Sequence, residues 1–125
     1  MDELVEWYGQ QLDEDERIAR ATTWEGSGNK LGWELVASAT IDVGGDEFYV
    51  GDRTIANHMM AWEPARVLRE IDAKRRMLER HAARYSEPAG GMICAHDGHR
   101  WPCPDVRDFA AVYADRPGYK ESWRP

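Results

Sequence analysis

Long apolar runs and export signals are missing from this sequence of 125 residues. No stretch approaches the roughly 18 apolar residues that a membrane-spanning helix needs, which excludes a bilayer span. The opening Met1-Asp2-Glu3-Leu4 has neither a basic segment nor an apolar one, so we expect no secretory signal. These absences predict a cytoplasmic protein that does not associate with membranes.

The short motifs of common enzyme classes are also missing. The sequence has no Walker-type loop, no dinucleotide-binding glycine fingerprint, no His-Glu-x-x-His and no Gly-x-Ser-x-Gly. With no recognisable catalytic constellation, we expect a protein that is not an enzyme. The net charge of −7 counts against general nucleic-acid binding, because phosphate groups favour basic partners.

The size and composition fit one ordinary folded domain. A chain of this length can bury a core without disulfides, and 42% apolar residues is normal globular usage. We therefore predict a single domain over 1–125. Six tryptophans is a high number for so short a chain. Most should anchor the fold through their large buried area, and one or two exposed ones would mark a binding surface.

The periodicity of apolar residues predicts an α+β fold that is mostly helical. A long central helix would carry an N-terminal and a C-terminal helix, with a small antiparallel β-hairpin and an irregular Cys/His loop. The predicted elements are a helix over 2–21, a β-hairpin over 33–50, a short helix over 52–62, a long basic helix over 64–85, the Cys/His loop over 86–104 and a helix over 105–114.

Particular residues set these boundaries. Asp2 can cap the first helix. Apolar residues alternate from Trp33 to Val43, which predicts one strand, and Gly44-Gly45-Asp46 predicts the turn of the hairpin. Pro64 suits the first turn of the long helix.

The strongest chemical signal lies in the Cys/His loop. Two cysteines and two histidines fall within ten residues, Cys94-Ala95-His96-Asp97-Gly98-His99-Arg100-Trp101-Pro102-Cys103. Sulfur and imidazole are the ligands that zinc prefers, and a loop rich in Gly and Pro needs an anchor. Because Cys94 and His96 are too close in sequence to reach one ion easily, a better set consists of His81 from the long helix, Cys94, either His96 or His99, and Cys103. The candidate zinc ligands are His81, Cys94, His96, His99 and Cys103.

Two other interpretations of this loop stay open. The cysteines can be reduced and buried as small apolar side chains, with the histidines facing solvent. Alternatively, Cys103 beside His99 can be a nucleophile, since a cysteine near a helix start can have a lowered pKa. The sequence names no third residue to orient that pair.

Charge is distributed unevenly along the chain. The first 20 residues are acidic, whereas the long helix over 64–85 is basic. A basic helix face either is solvated and packs near the acidic helix, or binds phosphate groups. The residues that would contact nucleic acid in the second case are Arg66, Arg69, Lys74, Arg76 and Arg80.

Several blocks of the sequence resemble an uncharacterised family of short actinobacterial and actinophage proteins, a domain of unknown function. The matching blocks are 12–16, 64–76, Trp101-Pro102-Cys103-Pro104, 113–119 and Trp123-Arg124-Pro125. The resemblance implies a phage or a prophage-bearing, GC-rich Gram-positive source. Many family members place Cys or His between the basic helix and the Pro-Cys block, so the resemblance adds some weight to a zinc site. Where they have His-Asp-Pro, this chain has Trp62-Glu63-Pro64, and Glu63 is a poorer helix cap than Asp.

These observations predict a small non-enzymatic protein that has a structural zinc ion and acts by contact with another protein, such as a host protein. The alternative is a nucleic-acid-binding module that uses the basic face of the long helix. The sequence is compatible with a monomer or a homodimer.

Overall fold

Helices dominate the chain, and two small antiparallel sheets complete it. The computed structural model describes residues 2–125. Its helices are α1 (Glu3–Arg20), α2 (Arg53–Ala61), α3 (Pro64–Arg80), α4 (Pro104–Ala111) and a 3₁₀ turn (Glu121–Trp123). Its strands are β1 (Glu34–Val36), β2 (Thr40–Asp42), β3 (Glu47–Tyr49), β4 (Ala83–Ser86) and β5 (Gly91–Cys94). The predicted class, α+β and mostly helical, is confirmed.

The chain divides into two compact units. The first unit comprises the residues up to Leu12 together with Asp72–Pro125, and the second unit comprises Asp13–Ile71. Helix α1 therefore begins in the first unit and ends in the second, and α3 does the reverse. The expectation of one domain over 1–125 stays a prediction.

The second unit is built on a three-stranded sheet in the order β1-β2-β3, not on a two-stranded hairpin. The sequence predicts one strand from Trp33 to Val43, but the chain turns at residues 37–39, and Leu35 pairs with Ile41. Ala37 takes φ 53° in this turn, a conformation that glycine usually supplies. Because no Gly or Pro marks the turn, and because apolar alternation continues on both sides of it, the sequence pattern hides the break.

The core of the second unit lies between this sheet and helix α2. Ile41, Val43 and Ala56 are buried at its centre. Asp52 caps α2 by accepting a hydrogen bond from the backbone N–H of Ile55 at 3.0 Å. Helix α3 then begins at Pro64, as the sequence predicts. Glu63 has a different role from capping: its carboxylate accepts the backbone N–H of Trp33 at 2.6 Å.

The first unit has an aromatic core. The ring of Trp7 lies 5.6 Å from that of Tyr119 and 5.4 Å from that of Trp123. The Trp7 indole N–H donates to the carbonyl of Pro117 at 2.9 Å. These contacts connect α1 to the last residues of the chain and account for two of the six tryptophans as fold anchors.

The predicted long helix and irregular loop need correction. Helix α3 ends at Arg80 rather than at residue 85, and residues 83–94 form the β4–β5 hairpin in place of helix and loop. In the hairpin, Ala83 pairs with Cys94 and Ser86 with Gly91. The backbone groups of residues 83–86 therefore bond across to β5 instead of along a helix, around a turn that contains Pro88 and Gly90. The last helix starts one residue earlier than predicted, at Pro104, and ends at Ala111 rather than at residue 114.

Candidate metal centre

Four side chains converge in the first unit, each from a different kind of element. His81 directly follows the end of α3, Cys94 is the last residue of β5, Asp97 lies in the turn after it, and Cys103 is the N-cap of α4. The ligand atoms of these residues all lie within 4.8 Å of one another. The group can hold a metal ion.

Backbone hydrogen bonds hold Cys94 from both sides. Its N–H donates to the carbonyl of His99 at 2.8 Å, and its carbonyl accepts the N–H of Gly98 at 2.9 Å. The following residue, Ala95, donates to the carbonyl of Ala82 at 2.8 Å, next to His81. The turn after β5 is therefore closed on itself and attached to the segment that carries the histidine.

The two carboxylate oxygens of Asp97 have different roles: one faces the centre, and the other accepts a hydrogen bond within the turn that contains Asp97. Its Oδ1 accepts the backbone N–H of His99 at 2.9 Å. Its Oδ2 lies 3.6 Å from the Nδ1 atom of His81. The hydrogen bond from the backbone of His99 lowers the pKa of Asp97 to about 2, so the carboxylate is charged at neutral pH.

Cys103 is positioned by the segment that leads into α4. The N–H of Trp101 donates to the carbonyl of Met92 in β5 at 3.0 Å. The Arg107 side chain donates to the carbonyl of Pro102 at 3.0 Å. The cysteine is thus held between the hairpin and the first turn of the helix, with its side chain fully buried.

The separations fit a tetrahedral ion. The Nδ1 atom of His81 lies 3.4 Å from the Sγ atom of Cys94 and 3.5 Å from that of Cys103. In a tetrahedral zinc site with Zn–N of about 2.05 Å and Zn–S of about 2.3 Å, a nitrogen and a sulfur ligand are about 3.5 Å apart. The two nitrogen–sulfur separations therefore match those around an ion that binds both kinds of donor.

The second nitrogen of His81 faces a further carboxylate. Its Nε2 atom lies 3.7 Å from Oδ2 of Asp105, in the first turn of α4. In metal centres, a ligating histidine commonly turns its other ring nitrogen to a carboxylate, which fixes the tautomer and raises the basicity of the ligating nitrogen. His81 has this arrangement, since its Nδ1 atom faces the other donors and its Nε2 atom faces Asp105.

The centre is enclosed. Cys94 and Cys103 are 0% exposed and His81 is 4% exposed, whereas the Asp97 side chain retains 20%. Burial raises the pKa of the Cys103 thiol to about 11, because a thiolate loses its hydration there. A thiol held protonated is a poor nucleophile, which argues against the interpretation of Cys103 as one. A cation in the centre would reverse this preference by supplying the opposite charge.

The structure brings together three of the five sequence-predicted ligands and adds one that the sequence analysis missed. His99 is 63% exposed, and its Nδ1 lies 3.1 Å from Oδ1 of Asp97. The ring of His96 is 4.7 Å from that of His81 and its residue is exposed. The missed residue is Asp97, because one carboxylate among 23 Asp and Glu carries no signal in the sequence comparable to that of a Cys or His.

The residues of the alternative nucleic-acid interface are only partly available. Arg66 donates to Glu70 at 3.1 Å and stacks on Trp62 at 4.3 Å. Lys74 lies over the ring of Tyr113 at 5.7 Å. The remaining three, Arg69, Arg76 and Arg80, are exposed. Nucleic-acid binding by this helix stays a prediction.

Comparisons with other proteins place the chain in a family. No helix among residues 2–125 has the length and apolar character needed to cross a bilayer. Searches of curated proteins and of solved structures give no match. A family profile, described as a family of unknown function (DUF6221), matches residues 1–125. The chain therefore belongs to this family of unknown function.

Proposed function

We propose that the protein binds one zinc ion as a structural element and acts, without catalysing a reaction, by contact with another protein. The observation that carries the first part is the set of donors around His81 Nδ1, with sulfur atoms at 3.4 and 3.5 Å and a carboxylate oxygen at 3.6 Å. Two thiolates and an imidazole favour zinc over the hard cations calcium and magnesium, which take oxygen ligands.

A structural role suits the centre better than a catalytic one. Catalytic zinc keeps an open position for water or substrate, whereas structural zinc has four protein ligands. Here four donors are present, and three of them are at most 4% exposed. An ion would join the end of α3, the β4–β5 hairpin and the start of α4, so that its binding free energy stabilises their arrangement.

The role in protein contacts rests on other features. Exposed aromatic side chains, including Trp24 and Tyr49, and the acidic net charge favour binding of a partner protein. Reduced thiols as zinc ligands suit a cytoplasmic location. The resemblance of the sequence to actinobacterial and actinophage proteins supports a phage or prophage origin and a host protein as the partner.

Metal analysis of the purified protein tests the zinc site. We expect one zinc per chain in protein prepared without added metal, and a lower melting temperature after treatment with a chelator, restored by zinc. Protein that contains no zinc, takes up none and melts at the same temperature with and without chelator would refute the proposal. Chelator-treated protein that takes up zinc without any rise in melting temperature would refute the structural role alone.

A further inference from the structure

Exposed large apolar side chains concentrate in the second unit. Among residues 2–125, ten such side chains are exposed, and seven of them belong to this unit. The seven are Ile18, Trp24, Phe48, Tyr49, Ile55, Met59 and Trp62. Trp24 is 63% exposed and Tyr49 is 79% exposed. Clustered exposure of this kind marks an interaction site more often than scattered single residues do.

Two apolar recesses lie beside these side chains. One has a volume of about 270 Å³, and its apolar lining consists of Trp24, Trp33, Ile41, Val43, Phe48 and Met59. The other, of about 310 Å³, is lined by Ile18, Ala19, Trp33, Trp62, Pro64 and Val67 together with Asp15 and Thr22. Trp33 and Thr22 contribute to both recesses. The two recesses therefore adjoin each other at Trp33 and Thr22, and together we call them the Trp33 groove.

Hydrogen bonds and close packing within the second unit hold part of the wall of the Trp33 groove in place. The Trp33 indole N–H donates to the carbonyl of Lys30 at 3.1 Å, and Asn29 donates to the carbonyl of Thr22 at 2.8 Å. The loop of residues 26–29 lies so close to the Gly44-Gly45 turn that a side chain at Gly45 would collide with the carbonyl of Ser27. A preformed groove loses little conformational entropy on binding, which favours affinity.

The negative charge of the second unit favours a partner of positive charge. The second unit has twelve Asp and Glu against six Lys and Arg, a net charge of −6 out of −7 for the chain. Asp15 contributes to the lining of the second recess, and the exposed Glu25 directly follows Trp24, which lines the first. A second copy of this unit would bring like charges together, whereas a basic segment would be attracted to it.

We propose that the Trp33 groove binds a basic segment of a partner protein, which places one apolar side chain in each recess and its Lys or Arg residues against the acidic rim. This inference rests on the proposed action by protein contact, and it names the class of partner. Each recess has room for one large aliphatic or aromatic side chain, and such anchors supply most of the affinity at interfaces of this type.

Synthetic peptides test the inference. The probes are short capped peptides that contain one Leu and one Phe, separated by spacers of increasing length and flanked by lysines. Two controls replace the lysines by glutamates or the Leu and Phe by alanines. We expect at least one lysine-flanked spacing to bind with Kd below about 1 mM in a fluorescence titration, and both controls to bind at least about tenfold more weakly.

Variants then locate the binding surface. Trp24→Ser in the first recess and Ile18→Ser in the second should each weaken binding of the best peptide at least about tenfold. Val112→Ser, which changes an exposed apolar residue of the first unit, should leave it unchanged. Glu25→Lys should weaken binding and reduce its dependence on salt.

The outcomes separate this inference from the zinc site. Absence of binding by every lysine-flanked peptide, equal binding of the glutamate-flanked control, or a dimer that Trp24→Ser dissociates would overturn the proposed partner. Zinc content is measured on the same samples. Peptide binding by protein that neither contains nor takes up zinc, and whose melting temperature a chelator does not change, would refute the structural zinc and leave the groove standing. Zinc-loaded protein that binds none of the peptides would refute the groove and leave the zinc site standing.

Discussion

The indole N–H of Trp101 donates a hydrogen bond of 2.8 Å to the carboxylate of Asp2, across 99 positions of the sequence. The other oxygen of this carboxylate accepts the backbone N–H of Val5 at 3.0 Å and so caps helix α1. One side chain therefore starts the first helix and holds the segment that leads to Cys103.

Replacing Asp2 by alanine tests this double role. Asp2→Ala removes the helix cap, which contributes about 1 kcal/mol, and the hydrogen bond to Trp101, which contributes a similar amount. We expect the free energy of unfolding to fall by about 1–3 kcal/mol in urea titrations of the zinc-loaded protein.

The control is Glu3→Ala at the neighbouring position. Glu3 pairs with Lys120 at 2.5 Å, but both side chains are about half exposed or more. Exposed ion pairs contribute about 0–1 kcal/mol, so this variant should be close to the parent protein. Equal effects of the two substitutions would contradict the role assigned to Asp2.

Removal of individual donors should separate the ligands from the neighbouring histidines. His81→Ala, Cys94→Ser and Cys103→Ser each remove a buried donor, and we expect each to abolish stoichiometric zinc in metal analysis. His96→Ala and His99→Ala are the matched controls, because neither residue belongs to the group of four. Zinc loss in His99→Ala with retention in His81→Ala would show that the donor set is different.

Asp97 deserves a separate experiment, because it is the one donor that retains appreciable exposure. Asp97→Ala should weaken zinc binding by at least about tenfold, in competition with a chromophoric chelator, since loss even of groups that only orient metal ligands has effects of this size. Asp115→Ala, which removes an exposed carboxylate in the same unit, is the control. Substitution of cobalt provides a second measurement: the visible absorption of tetrahedral cobalt should change in Asp97→Ala and stay the same in Asp115→Ala.

Replacing Gly118 or Gly9 by alanine should change the stability of the protein in opposite directions. Gly118 has φ +91°, and an added Cβ would lie 2.7 Å from the Trp7 indole nitrogen. Gly118→Ala should therefore destabilise the protein by about 1–3 kcal/mol. Gly9 lies inside α1 with nothing within 4 Å of an added Cβ, so Gly9→Ala should stabilise it by about 0.8–1 kcal/mol. Thermal melts of both variants check the two signs.

Glycine at position 37 should make the protein more stable than the native alanine does. A φ of 53° costs a residue other than glycine about 1–2 kcal/mol, which Ala37→Gly would remove. Glycine also makes the unfolded chain more flexible, which offsets about 0.5–1 kcal/mol of this gain. Ala37→Gly should therefore stabilise the second unit by about 0.5–1 kcal/mol. Ala39→Gly, two residues along in the same turn, removes a buried methyl group and should destabilise it. A melting temperature that falls in both variants would contradict the assigned strain.

The elements predicted best are those with local signals. A helix start depends on only a few neighbouring residues. Asp2, which precedes an apolar stripe, marks the start of α1, and Pro64 marks the start of α3. The turn at Ala37 has no such signal, because its geometry is imposed by pairing of Leu35 with Ile41 and not by the residue itself. The same holds for residues 83–86, whose strand exists only by pairing with β5.

The Cys and His residues of the candidate site could be predicted because these residue types are rare in the sequence. The sequence has two Cys and four His, so their proximity is informative, and the inclusion of His81 followed from spacing. It has 23 Asp and Glu, so a single carboxylate carries no comparable signal. Asp97 can be distinguished from the others only once the turn after β5 places its Oδ2 atom 3.6 Å from His81.

The donors of the centre are close together along the chain as well as in space, since His81 and Cys103 are only 22 positions apart. Short loops close at a smaller entropic cost than long ones, so contacts within this segment can form early in folding. The bond between Trp101 and Asp2 closes a much longer loop, so we expect it to form later. With zinc bound as proposed, its availability should therefore affect the rate at which newly made protein reaches its native state, and not only how stable that state is.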